Sequence, residues 1–238
     1  SLFRRLHHQR VAEVLSMLDA RLLAEHNCWF GGGTAIVLAN GEFRESADID
    51  FLVSDPRSYR EMRQMIRDRG FGALATRELD LGRAPSIDGH GIRTSVLVAG
   101  VAIKFEIIHE GRIDLDTPSP DDEICGLRSL TRTDQVASKL LANDDRWADT
   151  STFSRDLIDL AMMNPDTESL KGGAHKAVGA YGKTVGESLN HAVTYLQDRP
   201  QRLDEYIQAL KIDAPRAVVW QSIRDLSARS AKIEGLGP

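Results

Sequence analysis

Apolar residues recur at helical spacing from the start of the chain. Val11, Val14, Leu15, Leu18 and Leu22 fall three or four positions apart, which predicts one helix over 4–26. Cys28-Trp29-Phe30 then reads as a short strand, running into Gly31-Gly32-Gly33-Thr34 and an apolar stretch, 35–39, that begins a helix. Residues 40–47 are polar and loop-like. Ile49-Asp50-Phe51-Leu52-Val53 reads as a buried strand with acids at its N-terminal end, and 59–69 as a helix stopped by Gly70. Two strands, 94–98 and 101–108, flank the turn signal Ala99-Gly100. On the second, Val101, Ile103, Phe105 and Ile107 share one face, and Ala102, Lys104, Glu106 and Ile108 the other.

The pattern changes near Asp114. Asp116-Thr117-Pro118-Ser119-Pro120-Asp121-Asp122-Glu123 is a Pro-rich acidic connector, and the chain beyond it is helical. Helices are expected over 133–146 and 153–163, with two or three more punctuated by Pro165, Gly172-Gly173, Pro200 and Pro215. This divides the chain into an α/β part, 1–115, and a helical part, 116–238. There is no internal repeat and no low-complexity tract.

Composition narrows the class. The 238 residues are 42% hydrophobic and 27% charged, which excludes disorder as the main state. No apolar run reaches the length of a membrane span. The net charge of −5 argues against coating nucleic acid by bulk charge. Cys28 and Cys125 cannot build a disulfide framework or a cysteine metal cage and read as small buried hydrophobes. Ser1 to His8 contains no apolar signal-peptide core, so a cytoplasmic location is expected.

The chemistry-bearing residues come in order. Asp48 and Asp50 are two apart, so on an extended chain they point to the same side. Adjacent carboxylates repel, and a hard divalent cation relieves that repulsion. Glu106 joins them on one sheet face if its strand pairs near Asp50. Three carboxylates on neighbouring strands suit a two-metal site, with ions roughly 3.5–4 Å apart. Gly32 and Gly33 let the backbone approach a ligand, and a helix starting at about Thr34 would favour phosphate. No Gly-Lys-Ser/Thr follows, so this is not a P-loop, and the spacing fails the Rossmann fingerprint.

Gly32-Gly33-Thr34-Ala35 followed by Arg44-Glu45-Ser46-Ala47-Asp48-Ile49-Asp50-Phe51 resembles the first motif of the polymerase-β-like nucleotidyltransferases. More narrowly it is similar to the AbiEii/AbiGii toxin branch, which includes the MenT-type toxins. Phe105-Glu106-Ile107 fits the second motif, and Asp134, Lys139 and Ala142 fit the spacing of the third. Arg155-Asp156-Leu157-Ile158-Asp159-Leu160 offers two acids, Asp156 and Asp159, for the fourth. The resemblance spans about residues 28 to 160, with a somewhat long gap from Gly33 to Asp48. It implies an α+β fold, a mixed sheet with flanking helices plus a C-terminal helical bundle, and an active cleft between the halves. It implies an enzyme that uses Mg²⁺, or Mn²⁺ as an alternative, and a nucleoside triphosphate. By position Asp48, Asp50 and Glu106 would be metal ligands, with Glu106 alternatively a general base. Gly32, Gly33, Thr34, Arg44 and Ser46 would hold the triphosphate, and Lys139 would reach a phosphate. The toxin branch points to a tRNA 3′ end as acceptor and to an antitoxin as partner.

Blander readings stand beside these. Taken alone, Lys139 is a solvated helix residue. Arg44 and Ser46 also read as loop residues, with Ser46 capping the amide of Asp48. Asp156 and Asp159 also read as ion-pair partners on an exposed helix, near Arg146 and Arg155. Lys104 tunes Glu106, binds phosphate or caps a sheet edge. Arg60, Arg63 and Arg67 share one helix face and with Arg57 and Arg69 form a basic patch, read as solvated ahead of an RNA track. The seven histidines receive no role, and Trp147 and Trp220 read as core. The alternatives to a tRNA-directed toxin are transfer to a small molecule or a protein, and a non-catalytic nucleotide-binding module.

Overall fold

The computed structural model describes residues 2–237. They form two compact units, one of residues up to Ala39 with Ser46–Thr131, the other of Asn40–Glu45 with Arg132 onward.

The first unit opens with α1 (Leu6–Met17) and α2 (Ala20–Glu25), two helices where the apolar spacing predicts one. The break is chemical. Leu18 is extended and bridges Ala75, and the Asp19 carboxylate accepts from the Leu22 N–H, capping α2. After β1 (Trp29–Gly31) and α3 (Gly32–Ala39) the chain returns through β2 (Ile49–Val53) into α4 (Pro56–Arg69). α4 starts three residues earlier than its apolar spacing suggests. Asp55 accepts from the Ser58 N–H, and Pro56 occupies the first turn, where a missing N–H costs nothing.

Three further strands complete the sheet: β3 (Leu81–Ile87), β4 (Gly91–Val98) and β5 (Val101–His109). The order is β1-β2-β5-β4-β3, with β2 and β5 parallel and the other pairs antiparallel. The polar, bulged edge strand β3 carries no clear alternation and escapes a sequence reading. β4 and β5 join through Ala99 and Gly100, both at positive φ, as a tight hairpin requires. One sheet face is apolar: Phe51, Ile92, Val96, Ile103, Phe105 and Ile107 cluster with Val11 and Leu15 of α1 and Met62 and Ile66 of α4. Phe30, Phe51 and Phe105 follow one another at 5.5 Å between ring centroids, with Phe71 edge-on to Phe105 at 5.1 Å. Trp29, Leu52 and Leu130 form a separate, smaller cluster. Cys28 is buried as expected, and burial pushes its thiol well above the ordinary range; Cys125 is only half-buried, at a positive-φ turn.

The boundary at 115/116 moves to 131/132. The acidic connector leads into a small hairpin, β6 (Glu123–Ile124) and β7 (Leu127–Arg128), and Leu130 N–H then donates to the carbonyl of Phe30 at 2.8 Å. Residues 40–45 also move, to the second unit. Asp213 N–H donates to the Phe43 carbonyl at 2.8 Å, and Glu45 N–H to that of Leu210 at 3.2 Å.

The second unit holds six helices among its described residues: α5 (Arg132–Arg146), α6 (Arg155–Met162), α7 (Thr167–Tyr181), α8 (Thr184–Gln197), α9 (Pro200–Ala209) and α10 (Arg216–Ser230). Gly172-Gly173 does not punctuate two helices but lies inside α7, where it allows α5 close. A Cβ on Gly173 would lie 2.4 Å from Val136 and 2.8 Å from the Thr133 carbonyl oxygen. Two effects compete in Gly173→Ala. Alanine gains about 1 kcal/mol of helix propensity, but overpacking against a backbone atom costs about 1–3 kcal/mol. The expected outcome is net destabilisation, read as a lower urea midpoint of the transition reported by Trp147 and Trp220. Among the described residues no helix is long and apolar enough to cross a membrane.

Candidate active site

In the first unit the glycine run sits where β1 turns into α3. Gly32 adopts φ +70°, and a Cβ there would lie 2.4 Å from Oδ2 of Asp50. Two constraints thus select glycine: a left-handed backbone and a carboxylate packed on its Cα. Gly33 and Thr34 follow in the first turn of α3, whose leading N–H groups have no partners within the helix. The Thr34 hydroxyl lies 2.8 Å from that of Ser46. Ser46 N–H donates to Nε2 of the fully buried His8 at 3.1 Å, so Nε2 is the unprotonated nitrogen. Ser46 therefore joins the glycine turn, and His8, given no role from sequence, fixes its backbone.

Asp50 and Glu106 are in-register neighbours on the parallel strands β2 and β5, so their side chains leave the same sheet face. Asp48 lies two residues before Asp50, exposed, in the segment entering β2. Glu106 is held by two cations: Lys104 Nζ is 2.7 Å from Oε2 and Arg93 Nε 3.4 Å from Oε1. Lys104 caps no edge, because β5 is the central strand. Arg93 was missed, although the hairpin register Val98↔Val101, counted outward, places it opposite Glu106. Gly32→Ala is expected to push the Asp50 carboxylate aside and lower transfer about a hundredfold, the scale of a 1 Å misplacement. The check is kcat at saturating nucleotide, with circular dichroism confirming the fold.

In the second unit five ionised side chains form one chain, four of them buried and the fifth, Arg146, half-buried. Arg44 donates from Nε and Nη2 to the two Asp159 oxygens at 2.6 and 2.8 Å. Lys139 Nζ lies 2.8 Å from Asp159 Oδ2 and donates to Asp156 Oδ1 at 2.9 Å. Arg146 closes on Asp156 through Nε at 2.6 Å and Nη2 at 2.9 Å. Burial opposes the Lys139 charge most strongly, yet Asp156 and Asp159 together outweigh it and hold the ammonium above its ordinary range. Burial likewise raises both aspartates, but Lys139 and Arg146 hold Asp156, and Arg44 and Lys139 hold Asp159, below the usual carboxylate range.

A family model described as "Nucleotidyl transferase AbiEii toxin, Type IV TA system" matches residues 15–230. The chain belongs to the AbiEii family. It is therefore a nucleotidyltransferase, the toxin of a type IV toxin–antitoxin system, and that class implies an antitoxin partner. No curated protein and no solved structure matches.

Within this AbiEii chain the expected site residues gather in two sets. Gly32, Gly33, Thr34, Ser46, Asp50 and Glu106 lie together around β1, β2, α3 and β5, with Asp48 leading into β2. Arg44, Lys139, Asp156 and Asp159 lie together on α5, α6 and the 40–45 loop. Asp156 and Asp159 are not on an exposed face, being 3% and 0% exposed, and both contact Lys139. Lys139 is not a solvated helix residue, and Arg44 gives its guanidinium to Asp159 and the Glu45 carbonyl. Asp134, the first residue of the third motif, is buried and paired with Lys176 of α7. The basic face of α4 is partly engaged: Arg57 pairs with Glu61, and Arg63 lies over the Tyr59 ring.

Proposed function

We propose that this AbiEii nucleotidyltransferase moves a nucleotide from a nucleoside triphosphate to a tRNA 3′ end in the cytoplasm. Asp48, Asp50 and Glu106 would hold Mg²⁺ or Mn²⁺. The observation that carries the reading is the pairing of Asp50 with Glu106 beside a glycine turn shaped around the Asp50 carboxylate. The donors are hard oxygens, the type these ions take. Among the described residues no three His, Cys, Asp or Glu side chains are gathered closely enough to hold an ion, and Lys104 and Arg93 neutralise Glu106 instead. Ion binding thus requires the carboxylates to draw closer, with Glu106 sharing or exchanging these partners.

Each group then has a task. Backbone N–H groups of Gly32 and Gly33, with the Thr34 and Ser46 hydroxyls, bind phosphate oxygens. Lys104 and Arg93, released from Glu106, offset charge on the equatorial oxygens. A divalent ion bound at the carboxylates would neutralise the triphosphate and favour the attacking alkoxide. The acceptor hydroxyl oxygen bonds to the α-phosphorus, the bond to the bridging oxygen breaks, and pyrophosphate leaves. Glu106 is the carboxylate proposed to take the hydroxyl proton. This leaves the chain mainly a positioning role, as phosphoryl-transfer chemistry requires.

The test is a transfer assay with Mg²⁺, each labelled nucleoside triphosphate in turn, and bulk tRNA. Label on tRNA that disappears in Asp50→Asn is the expected result. Pyrophosphate release with a small-molecule or protein acceptor, and no label on tRNA, would overturn the acceptor assignment.

A further inference from the structure

The second unit contains a cavity of about 580 Å³ whose lining comes entirely from 193–228, within or flanking α8, α9 and α10. That volume falls inside the roughly 300–1,000 Å³ range of small-molecule sites. No residue of it belongs to the candidate active site. α10 has two faces. Val219, Ile223 and Leu226 are buried. Arg216, Trp220 and Arg224 follow at four-residue steps along another stripe and line the cavity, opposite Leu196 and Gln197 of α8 and Leu203 of α9. Trp220, which the sequence suggests is core, is only half-buried here.

The charges in the cavity are unequal. Arg216 is 3.1 Å from Asp204 and is balanced by it. Arg224 is exposed and makes no ion pair or hydrogen bond among the described residues. The wall thus offers one uncompensated cation, one half-buried indole, an amide able to donate and accept, and aliphatic side chains. A simple inorganic anion makes no use of the indole or the leucines. A hydrocarbon chain makes no use of the arginines. A planar heterocycle carrying a single phosphate uses the cation, the indole and the amide together: the ring stacks on Trp220, its polar edge meets Gln197, and the phosphate meets Arg224.

We propose that this cavity binds one nucleotide carrying a single phosphate, either a free nucleoside monophosphate or one unit of single-stranded RNA. The single excess charge favours a monophosphate or phosphodiester over a triphosphate, so the site is distinct in ligand from the proposed donor site. The inference does not depend on the proposed acceptor, and the transfer assay tests that separately.

The experiment is calorimetric titration of the full chain in EDTA with the four nucleoside monophosphates and with a tetranucleotide RNA. Wild type is compared with Trp220→Ala, Arg224→Glu and, as a charge control, Lys183→Glu. The expected result is binding weakened at least tenfold in the first two variants and unchanged in the third. Arg224 is exposed, so its variant reports even if Trp220→Ala unfolds. RNA binding at least tenfold tighter than monophosphate binding identifies the RNA unit; equal or weaker RNA binding identifies the free nucleotide. Absence of binding by both ligands overturns the proposal. So does affinity unchanged in Arg224→Glu, or equal competition by inorganic phosphate or by an acidic peptide.

Discussion

Asp50→Asn is expected to lower nucleotidyl transfer by at least about a thousandfold while the sheet stays folded. The expectation rests on where the charge sits. Asp50 is beside Glu106 on β2 and β5, and its Oδ2 packs on Gly32 at the head of α3. Under the proposed assignment its negative charge recruits the cation that offsets the triphosphate. Losing one preorganised charge-stabilising group in such a site costs about 3–4 kcal/mol, or two to three orders of magnitude. Direct loss of a ligand puts Asp50 at the upper end. Stability should move by no more than about 1 kcal/mol, because the change is isosteric and takes one carboxylate from a like-charged neighbour. The two measurements are kcat/KM for labelled transfer and the urea midpoint. Transfer within tenfold of wild type, with an unchanged midpoint, would remove Asp50 from the site.

Asp159→Asn should give the opposite profile, a large loss of stability. The chain Arg44–Asp159–Lys139–Asp156–Arg146, buried except at its half-buried Arg146 end, holds three cations and two anions. Neutralising Asp159 leaves Arg44 without its carboxylate and Lys139 with one in place of two. Breaking a buried pair in this way costs about 3–5 kcal/mol. Lys139→Met is expected to cost less, since each aspartate keeps an arginine and the cluster becomes neutral. Urea unfolding followed by Trp147 and Trp220 fluorescence gives both values, and a greater loss in Lys139→Met would contradict the charge count.

The pH dependence has a definite sign. Both aspartates titrate lower in the folded chain than in the unfolded one. Their contribution is present above the unfolded carboxylate range, about pH 4, and is lost as pH falls through the folded values. Lys139 behaves conversely: its contribution is full below the unfolded lysine range, about pH 10, and fades as pH rises through its raised folded value. Wild type and Asp159→Asn should therefore converge in stability toward strong acid.

The sheet half of the candidate site was legible as an arrangement of residues because its signals are local. Gly32, Asp50 and Glu106 each sit at a strand end or within a strand, and alternation along β5 correctly assigns its buried face. The hairpin turn even encodes Arg93, since register propagates from Ala99-Gly100 without further information. The ionic chain was not legible. Arg44 and Asp159 are 115 residues apart, and no local pattern joins a loop arginine to one of two nearby helix acids. Gly173 misled for a related reason. A glycine pair in a helical region reads as a break unless its close neighbour, Val136 on another helix, is known. Asp19, by contrast, carried a usable signal: an N-cap residue inside an apolar repeat divides one helix into two.

The placement of residues 40–45 has a consequence for dissection. The polypeptide leaves the first unit after Ala39, returns at Ser46, and leaves again after Thr131. A single cut at 131 therefore cannot yield two self-sufficient fragments. The N-terminal piece would retain Phe43, now stripped of its covering, and a guanidinium whose carboxylate had gone with the other piece. The C-terminal piece would keep Lys139, Arg146 and both aspartates but lack Arg44, so its cluster would lose the surplus cation and Asp159 would keep only one of its two partners. Truncation and two-hybrid fragments of this chain should be designed as interrupted segments, because a linear boundary would report misfolding as loss of function.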